Sequence, residues 1–251
     1  MSRIKQGGAA GGTGAETSAA RTWWQVLVAW FGRQKERFGL QQVIIVPLFF
    51  VWFGVLAFYE SALLRRIDSL SLFLFDDLYF KEMTSVPAGL LSYVGCFLVQ
   101  FFHYPVLGAA IYVYLLFAVY CLTRKVFGIS RDYAFVALLP VFALLASNTQ
   151  LGYWIFYLKM PGYYYMAVVA VILSLLSMWA FRKLGNVWRM PYLLVWTLVG
   201  YPVMGVYALA STLVMAVMWL VMALREKDSR VFAASSVVVA CLLVYFIPRY
   251  F

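Results

Sequence analysis

Asp76 and Asp77 are adjacent carboxylates inside the run Phe73-Leu74-Phe75-Asp76-Asp77-Leu78-Tyr79-Phe80. Aromatic neighbours close to a membrane surface would remove part of their water. Desolvation and a like-charged neighbour both favour the protonated form of a carboxylate, and a bound cation reverses that preference. Such a pair can act as a general base or hold a divalent metal through oxygen ligands. The competing reading is a solvated acidic turn anchored to the interface by its aromatics. The residues alone favour that reading, because carboxylates mark functional sites only statistically.

The pair does not stand alone. Glu60, Asp68, Asp76, Asp77 and Glu82 make up half of the ten acidic residues in the chain. Acids contribute little to membrane topology, so orientation does not explain the clustering. A second polar cluster holds Asn148, Thr149, Gln150, Tyr153, Tyr157, Lys159, Tyr163, Tyr164 and Tyr165. Tyrosine is enriched at membrane interfaces, and that alone accounts for much of it. The sharper reading is a polar wall facing Asp76 and Asp77 across a cavity, where Lys159, Arg65 or Arg66 would hold a lipid phosphate as charged donors. His103 completes the candidate substrate-binding set, although a histidine at a bend is more often a polar anchor than a catalyst. Cys96, Cys121 and Cys241 are far apart and His103 is the single histidine, so no thiolate or imidazole metal centre is expected. No cofactor is indicated.

The elements that would position these residues belong to a membrane protein. Of 251 residues, 65% are hydrophobic and 12% charged. A soluble domain is about a quarter charged, and so few charges could not cover so large an apolar surface in water. The net charge of +10 does not indicate nucleic acid. The basic residues are scattered between apolar runs and form no single patch.

Residues 1–20 are rich in Gly, Ala, Ser and Thr and read as a disordered tail rather than a signal peptide. Residues 21–42 combine Trp23, Trp24, Trp30 and Phe31 with Arg33, Lys35, Glu36 and Arg37, which suits a cytoplasmic interfacial helix. Apolar runs then predict spans at 43–64, 105–122, 133–147, 162–181, 191–203, 205–224 and 231–247. Gly200, Tyr201, Pro202 and Gly205 interrupt the long run 191–224, which reads as a tight hairpin with a short first arm. The outer loop 65–104 carries the acidic pair. It also carries Leu90, Leu91, Val94, Phe97, Leu98, Phe101 and Phe102, spaced as one face of an α-helix. That helix lies along the outer membrane surface or packs on neighbouring spans.

Charge orders the topology. Met1–Gln42, Thr123–Asp132, Arg182–Arg189 and Arg225–Arg230 hold 15 of the 20 basic residues. By the positive-inside rule these are cytoplasmic. The fold class is therefore all-α: a polytopic transmembrane bundle of about seven spans with the N-terminus cytoplasmic.

The order of span, outer acidic pair, surface-lying helix and second span resembles the start of the GT-C membrane glycosyltransferases. That resemblance covers about Val43–Leu122. It implies transfer of a sugar from a polyprenyl-phosphate carrier on the outer face of a bacterial inner membrane, with Asp76 and Asp77 as base or metal ligand. The chain is also similar to an uncharacterised family of bacterial polytopic proteins. The residues that carry this likeness are Phe75–Phe80, Pro87–Tyr93, Gln100–Pro105, Leu151–Tyr153, Pro161–Tyr164 and Gly200–Pro202. This second resemblance implies no activity. Its members are longer, so the chain is expected to be a short form.

Three functional readings follow. The first is a GT-C-like transferase, in which the acids face a cavity. The second is a non-catalytic membrane scaffold or envelope-assembly partner, in which they project into water. A transporter is disfavoured by the near absence of ionisable residues within spans and of an internal repeat. No Gly-rich fingerprint follows a strand, which excludes a dinucleotide or P-loop enzyme. Beyond the bilayer, the sequence names no partner and no oligomeric state.

Overall fold

The computed structural model describes residues 40–71, 73–148, 162–226 and 230–250. The tail expected at 1–20 and nearly all of the interfacial helix expected at 21–42 lie outside the described residues, as does Lys159. The chain divides into two compact units at Pro47/Leu48.

Among the described residues every element is helical. α1 (Leu40–Gly54) is almost wholly apolar and carries Pro47. It widens into a π-helical segment, Val55–Tyr59, that ends at Glu60. There the chain bends by 69° into α2 (Ser61–Leu70). α3 (Asp77–Thr84) and α4 (Gly89–Val99) follow, and the 3-10 turn Gln100–His103 leads to α5 (Pro105–Phe127). Pro105 opens α5 where a missing N–H costs nothing, and Gly128 closes it in the left-handed conformation (φ 62°).

The apolar run 133–147 is helical in two pieces. Arg131–Leu138 is 3-10 and α6 spans Leu139–Ala146, with Pro140 in its first turn. The proline ring would collide with the carbonyl four residues back in a continuous α-helix, so the α-helical part begins beside it. α7 (Tyr163–Lys183), α8 (Asn186–Met204), α9 (Val206–Glu226) and α10 (Arg230–Tyr250) complete the chain. In the run 191–224, α8 starts before Pro191 and continues through Pro202 to Met204. The turn is made at Gly205, whose φ of 56° and ψ of −130° suit a residue without Cβ.

α5 and α7 run parallel. Phe102 at the entrance to α5 packs on Tyr164 and Tyr165, and the Tyr165 hydroxyl donates to the Gly108 carbonyl at 2.8 Å. At the other end the Arg182 guanidinium donates to the Val126 carbonyl. α8 returns beside α7 through Tyr192, which contacts Phe181 and Ser177. α8 and α9 are joined by paired hydroxyls, Thr197 to Thr212 at 2.9 Å, and by the Trp196 indole donating to Ser211 at 2.9 Å. Leu209 packs on Ile247, which places the end of α10 beside the start of α9.

Pro105–Phe127, Tyr163–Lys183 and Val206–Leu224 are long and apolar enough to cross a membrane; the bent pair Ile44–Tyr59 and Ser61–Leu70 makes a fourth if taken as one span. Outward-facing Phe50, Phe58, Tyr114, Val199, Val217 and Val238 are exposed. So much exposed apolar surface suits a hydrocarbon surround rather than water.

α4 is helical, as the spacing of its leucines and phenylalanines requires. Its buried line is Leu91, Gly95, Cys96 and Val99, while Leu90, Val94 and Phe97 are exposed. The inner line packs on α7 and α8. Leu91 joins Ala170, Met204 and Ala208 in one cluster, and the Ser92 hydroxyl lies 3.5 Å from the Met166 sulfur.

Candidate functional site

Five acids lie at the end of the bundle where α5 and α7 begin. Glu60 stands at the 69° bend, beyond the last apolar turn of α1. Asp68 is on α2, and Asp76, Asp77 and Glu82 are on or next to α3.

Asp76 is the N-cap residue of α3 and Asp77 its first residue. The backbone explains the pair locally. Asp76 is extended (φ −135°, ψ 142°), as an N-cap requires, and negative charge is favoured at a helix N-terminus. Its side chain makes no capping bond. Both carboxylates are exposed, beside Phe75 at 95% and Leu78 at 75% exposure. Among the described residues, no group of three or more His, Cys, Asp or Glu could hold a metal ion.

An aromatic cluster holds this tip in place. Phe73 contacts Tyr79, Tyr93 and Phe97, with ring centroids 6.2, 4.9 and 5.6 Å away. Phe80 meets Tyr93 edge-on at 5.1 Å. The Gln100 amide donates to the Phe73 carbonyl at 3.4 Å. Below the cluster, burial and the neighbouring Cys96 thiol push the Tyr79 phenol up to about 12, so it stays protonated at neutral pH. Burial also raises Cys96, which makes its thiol a packing group rather than a nucleophile.

The remaining candidates fall elsewhere on the same end. Arg65 and Arg66 are exposed on α2. His103 is 73% exposed, and its Nδ1 lies 3.5 Å from the Asp68 carboxylate on α2. The structure therefore brings His103 to the helix that carries the arginines and holds the acidic pair on α3.

A family model described as "Family of unknown function (DUF6057)" matches residues 37–251. The chain belongs to that family. No curated protein and no solved structure matches it. The DUF6057 match includes α1 to α10 and with them every described residue of the acidic end.

Two polar groups were not legible as sites in this DUF6057 chain. One is internal: the Asn148 amide lies 2.5 Å from the Tyr112 hydroxyl, and Ser147 pairs with Tyr163 at 2.7 Å. Asn148 and the tyrosines stood out in the sequence, but Tyr112 did not, since it lies in mid-span. The other is at the opposite end, where Trp179 meets two lysines. It needs two helices aligned before it exists.

Proposed function

We propose that the protein is a bacterial inner-membrane scaffold or assembly partner with seven crossings and a cytoplasmic N-terminus, and that its outer acidic tip is the contact surface. One observation carries the functional part: Asp76 and Asp77 are exposed at the start of a short, aromatic-braced helix, beside the near-fully exposed Phe75. Exposed aromatics are enriched in interface cores, and charges at their rim steer and orient a complementary partner. The topology draws support from the parallel run of α5 and α7, which puts the basic segments Thr123–Asp132 and Arg182–Arg189 at one end. The test is a photo-crosslinking residue at Phe75 in intact cells. A discrete adduct that disappears with Asp76→Asn and Asp77→Asn supports the reading; lipid adducts alone would sink it.

The second reading is GT-C-like sugar transfer from a polyprenyl-phosphate carrier. Its support is the retained order of apolar helix, acidic pair, packed helix and Pro105-led helix. Asp76 and Asp77 would then be the reacting carboxylates, with Arg65, Arg66, His103 and Lys159 holding the lipid phosphate. Abolition of lipid-linked sugar consumption by Asp76→Ala with Asp77→Ala, in a folded protein, would favour this reading over the scaffold.

A further inference from the structure

The end of the bundle away from the acids gathers Arg124, Lys125, Arg182, Lys183 and Arg189 from α5, α7 and α8. At its centre is Trp179. The Lys125 ammonium lies 4.7 Å from the indole centroid and the Lys183 ammonium 3.8 Å from it. Two like charges from different helices are thus drawn onto one ring. The cation–π attraction offsets only part of their mutual repulsion. Among the described residues no carboxylate forms an ion pair with either lysine. Both lysines are exposed. Arg124 donates to the Tyr120 hydroxyl at 3.4 Å, Arg182 is tied to the Val126 carbonyl, and Arg189 to Asn186 and the Leu184 carbonyl. The lysines are therefore the free-facing cations of the group.

Each lysine ends an apolar stripe. On α5 the stripe is Phe117, Cys121, Lys125; on α7 it is Leu173, Leu176, Trp179, Lys183. Phe117, Cys121, Leu173 and Leu176 are all exposed. Residues three or four apart share a helix face. A cationic pair at the head of two lipid-facing apolar tracks, with an indole at headgroup depth, matches an anionic phospholipid in both charge and shape.

We propose that Lys125, Lys183 and Trp179 form a binding site for the phosphate of an anionic phospholipid, with its acyl chains lying along the stripes of α5 and α7. The site rests on the membrane reading but not on the acidic tip having a partner.

Native mass spectrometry of the full chain in detergent tests it, with dioleoylphosphatidylglycerol, dioleoylphosphatidylcholine and inorganic phosphate as probes. Phosphatidylglycerol should bind more tightly than phosphatidylcholine, and free phosphate should not compete at equal concentration. The Lys125→Gln, Lys183→Gln double variant should weaken phosphatidylglycerol binding about 30-fold, and either single variant about fivefold. Lys81→Gln, at the acidic end, should leave it unchanged. If the double variant does not fold, the single variants and the loss of binding with added salt decide. Equal affinity for the two lipids, full competition by inorganic phosphate, or unchanged binding in the single variants would overturn the site. None of these would alter crosslinking at Phe75, so the two proposals fail separately.

Discussion

A Cβ built on Gly95 would lie 2.5 Å from the carbonyl oxygen of Gly162, so α4 and the start of α7 meet backbone to backbone. The contact is reciprocal: a Cβ on Gly162 would enter the backbone of Gly95 and Cys96. Gly162 also sits at φ 74°, where a side chain is strained even without neighbours. Small residues permit this approach between apolar helices in lipid, where packing replaces the hydrophobic effect.

Gly95→Ala should therefore destabilise the protein by about 1–3 kcal/mol, the usual cost of overpacking, and Gly95→Val by more. Gly54 is the control, because a Cβ there meets nothing within 4 Å and its backbone is α-helical (φ −60°, ψ −42°). Gly54→Ala should leave stability unchanged or raise it by about 0.5–1 kcal/mol. Thermal unfolding in detergent checks both. Equal midpoints for the Gly95 and Gly54 variants would refute the close approach.

Ala88 is the one described non-glycine residue with positive φ, at 66°. Its N–H donates to the Pro202 carbonyl at 3.0 Å, near the end of α8 where helical donors have run out. A Cβ on Gly205 would lie 3.0 Å from the Ala88 Cβ. The α3–α4 loop thus caps the α8–α9 turn. Left-handed alanine costs roughly 1 kcal/mol, so Ala88→Gly should be neutral to slightly stabilising. Ala88→Val should destabilise by about 2 kcal/mol, since β-branching deepens the strain. Chemical denaturation in mixed micelles reads the difference, and a Gly variant weaker than the Val variant would contradict the assigned backbone.

The sequence showed much of this fold and little of its contacts, for a physical reason. Apolar length and loop charge are enough to find α5, α7 and α9, because lipid demands both. Neither measure separates a lipid-facing residue from a core-facing one. The periodic stripe Leu90, Leu91, Val94, Phe97, Leu98, Phe101 and Phe102 leaves open whether it meets the membrane surface or neighbouring spans; on α4 the packed line runs through Leu91, Gly95 and Cys96, with Leu90, Val94 and Phe97 exposed. In water polar residues would have marked the outer face; in lipid small residues mark the inner one. The break in 191–224 was visible as a Gly-Pro cluster. That the helix continues through Pro202 to Met204, with its Pro202 carbonyl met by the Ala88 N–H, involves a loop arriving from elsewhere in the chain. The acidic pair was found from its own residues, but its exposure depends on how Phe73, Tyr93 and Phe97 brace α3.

Thr197 and Thr212 test how strongly polar pairs join the span-like helices. Their hydroxyls lie 2.9 Å apart, and each also has an acceptor in its own helix, the Leu193 and Ala208 carbonyls at 2.6 and 2.8 Å, so one hydroxyl donates across the pair while the other donates locally. Because each hydroxyl has a local acceptor, losing the cross-helix bond strands little. A double-mutant cycle with Thr197→Val and Thr212→Val should give a coupling near 0.6 kcal/mol, the mean for such bonds in membranes. A coupling above about 2 kcal/mol would mean the pair is indispensable to the α8–α9 hairpin.

The acidic pair supplies the most discriminating experiment, because its structural and functional roles predict different magnitudes. As first-turn charge on α3, Asp77 contributes about 0.3–1 kcal/mol through the helix dipole, and Asp76, which makes no capping bond, acts there by its charge alone. Asp76→Asn keeps a good capping residue and Asp77→Asn keeps shape, so the double Asn variant should lose no more than about 1 kcal/mol of stability. Crosslinking from Phe75 should nevertheless fall several-fold, and added salt should mimic that loss because exposed charges are screened. If the double Asn variant unfolds, the pair serves the fold. If it folds and crosslinks as the parent does, the exposed acids serve no partner, and Phe75 with Leu78 alone would mark the interface.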